Sequence, residues 1–68
     1  MVPFKEKFKE LRYEKNLSQR QVAQALNVSQ RSISSWETGF RRPDYETLVK
    51  IAVYFNVSVD YLLGLSND

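Results

Sequence analysis

Residues 18–38 read SQRQVAQALNVSQRSISSWET, and the spacing inside this stretch decides the fold. Ser18, followed three residues later by Gln21, makes a capping box, which predicts a helix over Gln19–Leu26. Val22, Ala23 and Leu26 form its inward face. Asn27 stands where the chain must turn, and Asn tolerates left-handed backbone better than most non-glycine residues. Ser29 is a second N-cap. It opens a helix over Gln30–Thr38 that Ile33 and Trp36 hold down and Gly39 stops. Two short helices joined so tightly cross steeply. Ala23 supplies the small side chain at the crossing, and Val28 plugs the turn into the core. That is the sequence logic of a helix-turn-helix.

The outward face of the second helix then follows from helical geometry. Gln30, Arg31, Ser34 and Ser35 lie opposite Ile33 and Trp36. None is acidic, and all form hydrogen bonds. Gln suits the N6/N7 edge of adenine and Arg the O6/N7 edge of guanine, so this face has the chemistry of base reading in a major groove.

Working outward, Phe4, Phe8 and Leu11, then Leu17, give an apolar stripe for a helix over about Pro3–Lys15, with Lys and Glu between them facing water. Asp44 is an N-cap. Behind it Leu48, Ile51, Ala52 and Phe55 make the stripe of a fourth helix that ends at Asn56. Ser58 caps a short last helix, Val59–Leu63, closed by Gly64. Ser66, Asn67 and Asp68 read as a frayed tail. No segment shows strand alternation. The expected fold is all-α: a compact five-helix domain over residues 1–68, its core spanning residues 4–64.

The chain has 68 residues and lacks both Cys and His. Disulfides are therefore excluded, and a zinc site would need carboxylates alone, which suit other ions. No metal and no cofactor are expected. Without His, Cys or paired carboxylates on a cleft-forming scaffold, an enzyme is a poor fit. No apolar run approaches the roughly 20 residues of a membrane span. The first ten residues also lack the apolar centre of a signal peptide, so the expected location is the cytoplasm, at the nucleoid of a bacterial cell. Net charge is +2, unevenly spread: +2 over residues 1–15, +3 over 16–43 and −3 over 44–68. The basic middle segment is what a polyanion partner requires.

The residues Leu17-Ser18-Gln19, Val22-Ala23, Leu26-Asn27-Val28-Ser29, Ile33-Ser34, Trp36-Glu37 and Gly39 resemble the lambda-repressor/Cro (XRE-type) helix-turn-helix family. So do Pro43, Leu48, Ile51-Ala52, Phe55-Asn56-Val57-Ser58 and Asp60-Tyr61-Leu62-Leu63-Gly64. The resemblance runs from about Phe4 to Gly64 and departs from the commoner glycine at Asn27. It implies a lambda-repressor-like domain that binds double-stranded DNA as a transcriptional regulator, a repressor of phage or bacterial type. It further implies that Gln19 touches a phosphate and braces Gln30, and that Gln30 reads a base. Arg31, Ser34 and Ser35 match the other groove-facing positions. Thr38 and the loop arginines Arg41 and Arg42 match contacts to the DNA backbone, joined here by the capping serines Ser18 and Ser29. Arg12 and Glu37 match a buried salt bridge of the family.

Tyr61, Leu62, Leu63 and Leu65 exceed what a small core absorbs. Two of them enter it, and Tyr61 and Leu65 are left as a candidate dimer contact. A homodimer reading a palindromic operator is the expected assembly, its half-sites roughly 34 Å apart. A closed monomer with a few exposed apolar groups is the other reading of these residues. The rival function is a protein-interaction module, such as an antitoxin or anti-repressor, that uses the fold without reading DNA.

Overall fold

The computed structural model describes residues 3–65, so the tail Ser66–Asp68 lies outside the described residues. Five helices run in order: α1 (Phe4–Glu14), α2 (Gln19–Leu26), α3 (Gln30–Thr38), α4 (Tyr45–Phe55) and α5 (Val59–Leu62). The all-α expectation holds, with small shifts at three helix ends, the first being that α1 stops at Glu14 with Lys15 as its C-cap. Pro3 is the N-cap of α1 rather than its first residue, because its backbone is extended (φ −61°, ψ 151°). Leu63 ends α5 as its C-cap instead of continuing it.

One turn device is used three times. Asn16, Asn27 and Asn56 adopt left-handed backbone at φ 56°, 58° and 56°. Each is followed by an apolar residue whose N–H reaches back five positions: Leu17 to the Arg12 carbonyl, Val28 to that of Ala23 and Val57 to that of Ala52. Each apolar residue is followed by a serine that caps the next helix or, before α2, forms the capping box with Gln21. The left-handed residue and the long back-bond satisfy carbonyls that the helix end leaves open. Asp44 caps α4 by accepting from the Thr47 N–H at 2.8 Å, and that bond holds its carboxyl below the usual Asp range.

The core is a single cluster drawn from all five helices, with Phe8, Val22, Ile33, Ile51 and Leu62 fully enclosed. Phe8 is its hub: it meets Trp36 edge-on at 5.7 Å and Phe55 edge-on at 6.0 Å between ring centroids. Such edge-to-face pairs add to burial and fix the angles at which helices meet. α3 rests on α2 and α1, while α4 packs on α2 and α5. One face of α3 is thus left outside. No described helix is long and apolar enough to cross a membrane.

Candidate nucleic-acid interface

Ala23 is buried where α2 and α3 cross, and Ile33, Trp36 and Glu37 turn the inner side of α3 into the core. What fastens α3 is a network around Glu37. Arg12 of α1 donates from Nη2 to Glu37 Oε1 at 2.8 Å and from Nε to Oε2, so the pair is bidentate. Arg12 Nη1 also donates to the Leu17 carbonyl at 2.9 Å. The hydrogen bond to Glu37 raises the Arg12 guanidinium above its ordinary pKa. Both side chains are buried, and the bidentate fork fits the desolvated site. Gln19 completes the network by donating from Nε2 to Glu37 Oε1 at 3.2 Å. The resemblance implies that Gln19 touches a phosphate and braces Gln30. Here the Glu37 carboxylate takes the Gln19 amide, being the stronger acceptor.

With the inner side fixed, Gln30 and Arg31 project from the first turn of α3 as exposed residues, and Ser34 and Ser35 lie half-buried one turn on. Arg31 and Ser35 line a concavity of about 680 Å³ together with Arg41 and Arg42 of the following loop, walled by Val28 and Trp36. Gln30 and Ser34 form a parallel row beside it, four residues apart on the same helix. Thr38 closes the helix: its Oγ1 donates to the Ser35 carbonyl at 3.2 Å and accepts from the Phe40 N–H at 3.4 Å. Gly39 is at φ 83°, a left-handed conformation that favours glycine; a Cβ there would stand 3.0 Å from Cδ of the exposed Lys5 side chain.

Ser18 and Ser29 use their hydroxyls as caps, for Gln21 N–H at 3.0 Å and Ser32 N–H at 3.1 Å. They therefore fix the two helix N-termini on this side of the molecule. Ser32, Pro43, Asp44 and Thr47, not marked for this surface by the sequence, also line the concavity. Ser32 shares a 3.0 Å hydrogen bond with the Ser29 hydroxyl. Ser32 carried a signal, its spacing of three from the capping Ser29. Thr47 carried none beyond its cap, because α4 reaches this surface only through the tertiary fold. Phe40 is 77% exposed, with the Arg41 guanidinium 5.6 Å from its ring.

The dimer candidates separate. Leu65 is 65% exposed. Tyr61 is half-buried against the core, with Lys7 Nζ 4.4 Å above its ring. A larger apolar surface lies on α4, where Tyr45, Val49 and Val53 follow one another at four-residue steps and are 78%, 39% and 75% exposed.

Residues 8–62 match the model of the helix-turn-helix family. The chain is 47% identical over 63 residues to the HTH-type transcriptional activator BcrR of Enterococcus faecalis, an alignment covering 93% of this chain and 31% of that protein. It is 40% identical over 58 residues to the HTH-type transcriptional regulator ImmR of Bacillus subtilis, covering 85% of this chain and 46% of that one. Among solved structures, the P22 c2 repressor in complex with a synthetic operator superposes with a TM-score of 0.89 at 26% identity. That match covers 97% of this chain and all of the repressor chain. A transcriptional regulator from Listeria innocua superposes at 0.87 with 33% identity, covering 98% of this chain and 64% of that one. The chain spans between 31% and 57% of the first curated relatives it matches.

Proposed function

The chain belongs to the helix-turn-helix family, and from that premise we propose that it binds double-stranded DNA as the operator-reading part of a transcriptional regulator. The observation that carries the reading is the outward surface of α3: Gln30, Arg31, Ser34 and Ser35 are all non-acidic, and Arg31 and Ser35 share a concavity with Arg41 and Arg42 whose one acidic lining residue, Asp44, is engaged as the α4 N-cap. An acid-free polar helix face beside two arginines suits a groove lined by phosphates. In this reading Gln30 and Arg31 read base edges, and Ser34 and Ser35 allow close approach. Thr38, Arg41, Arg42, Gln19 and the α2 and α3 N-termini at Ser18 and Ser29 hold the backbone. No catalytic role is part of it, and the place of action is the bacterial cytoplasm, at the nucleoid. Promoter occlusion needs nothing beyond tight binding, so repression is the simplest output of such a domain.

Size argues for two copies. The longest dimension of the domain is 28 Å, less than the roughly 34 Å between successive half-sites on one face of the duplex. One copy therefore serves one half-site. The stripe Tyr45, Val49 and Val53 supplies a self-complementary face, because α4 also carries Glu46 and Lys50, four residues apart. An antiparallel second copy sets each Glu46 against the other's Lys50.

Selection of bound sequences from a random duplex pool tests the reading. A palindromic consensus is expected, since it reports base reading and paired half-sites together. Recovery of no motif, with binding insensitive to salt, would point to a protein-interaction module instead.

A further inference from the structure

The loop that carries Arg41 and Arg42 has a second side. Behind it lies a separate concavity of about 450 Å³. Its apolar surface comes from Phe4 at the start of α1, Trp36 of α3 and Leu63 after α5, and its charged rim from Lys5, Arg41 and Arg42. No acidic residue lines it. The volume is within the range of small-molecule sites, about 300–1,000 Å³, and an apolar floor with a few converging charges is their usual composition. Trp36, Arg41 and Arg42 line both this concavity and the one beside α3, so they form a shared wall between the two.

We propose that this second concavity binds a small amphiphilic carboxylate, an aliphatic or aryl-alkyl acid, and that its occupancy weakens DNA binding by engaging Arg41 and Arg42 from behind. Three cations without a compensating acid call for an anion. A bare phosphate leaves Phe4, Trp36 and Leu63 unused, whereas an alkyl or aryl chain covers them and sets its carboxylate at the rim. Lys5 reaches this rim from α1, its side chain lying across Gly39, 3.0 Å from where a Cβ would stand. The regulatory half of the proposal rests on the DNA reading above, and the binding half does not. Because coupling between two sites is reciprocal, operator DNA must lower carboxylate affinity by the factor by which carboxylate lowers DNA affinity.

Trp36 is the single tryptophan and forms part of the site, so its fluorescence reports occupancy without DNA. The experiment titrates the protein with octanoate and, in parallel, with 1-octanol. A saturable change in Trp36 emission is expected with octanoate, with a dissociation constant on the order of 1 mM for a ligand of this size. The alcohol is expected to give no saturation over the same range. Lys5→Glu reverses one rim charge and leaves the α3 surface untouched; it is expected to weaken octanoate about fivefold, the upper end for one exposed ion pair. Leu63→Gln, a second and independent change, removes apolar floor and is expected to weaken it by a similar factor, with helicity confirmed by circular dichroism for both variants. Equal curves for octanoate and octanol, no saturation with either, or unchanged affinity in both variants overturns the proposal. If octanoate binds but duplex affinity does not respond, the site stands and the regulation falls. If the free protein binds no duplex at all, the DNA reading falls while the fluorescence titration still decides the site.

Discussion

α2 and α4 end in the same way and lead to very different successors. α2 buries Val22 and Ala23, then Leu26, and stops at Asn27-Val28-Ser29; α4 buries Ile51 and Ala52, then Phe55, and stops at Asn56-Val57-Ser58. The hydrogen bonds match as well: the two valines reach back to the two alanines at 2.9 Å, and the two serines cap the next helix. Beyond the cap the likeness ends. Ser29 is followed by nine helical residues, and Ser58 by four. Two positions past the serine stands Arg31 in one case and Asp60 in the other. A turn sets the angle at which a helix leaves; length and charge after the turn decide whether that helix can enter a groove. α3 also has a fastening that α5 lacks, the bidentate pair from Arg12 to Glu37.

That fastening gives the largest expected effect. Arg12→Leu leaves Glu37 buried without its cation, and stability measured by denaturant titration is expected to fall by about 3–5 kcal/mol. The double change Arg12→Leu with Glu37→Leu is expected to recover part of the loss, since an apolar pair of similar size no longer buries a charge. If the single and double variants are equally unstable, the network matters for its shape and not its charge.

The next effect sharpens the contrast at the matched positions. Arg31→Ala is expected to reduce discrimination at one base position by about 1–3 kcal/mol, read by competition between single-base operator variants. Asp60→Ala, at the equivalent place in α5, is expected to leave that discrimination unchanged. Arg42→Ala is expected to act differently from both, weakening all duplexes alike and reducing the slope of log affinity against log salt by about one. Uniform, sequence-independent loss from Arg31→Ala would remove its base-reading role.

The smallest effect tests the likeness instead of the difference. Asn27→Ala and Asn56→Ala each force an alanine into left-handed backbone, and each is expected to lower stability by about 1 kcal/mol. If the turns are equivalent, the two losses agree in thermal melts. A much larger loss at Asn27 would mean that the α2–α3 crossing bears strain that the α4–α5 turn does not.

Much of this was legible in the chain itself. The capping serines, the turn asparagines and the four-residue apolar stripes are local signals, and they fixed all five helices to within a residue or two. Arg31 and Ser35 were readable as outward residues from the helix period, and Arg41 and Arg42 were joined to them by the family resemblance. Other features were not readable. Gln19 has an ordinary place at the start of α2, and only the packing of α2 against α3 puts the Glu37 carboxylate within its reach. Tyr45, Val49 and Val53 also follow a helical period, but α4 is apolar on more than one side, and periodicity cannot say which side the core takes. Ile51 and Phe55 went inward because α2 and α5 pack there, which left the other stripe to solvent.

The sequence by itself determined where each helix begins and ends, and that one outward face would be polar and free of acid, because caps, turns and periodicity act within a few residues. Only the tertiary structure decided what those helices share. It set Arg12 on Glu37 across 25 positions, a pair that the family resemblance implied and no local spacing did, joined Thr47 to the α3 surface, and placed Phe4 and Leu63 around Trp36 from opposite ends of the chain. Contacts of that kind depend on how apolar faces pack in three dimensions, which no local spacing encodes.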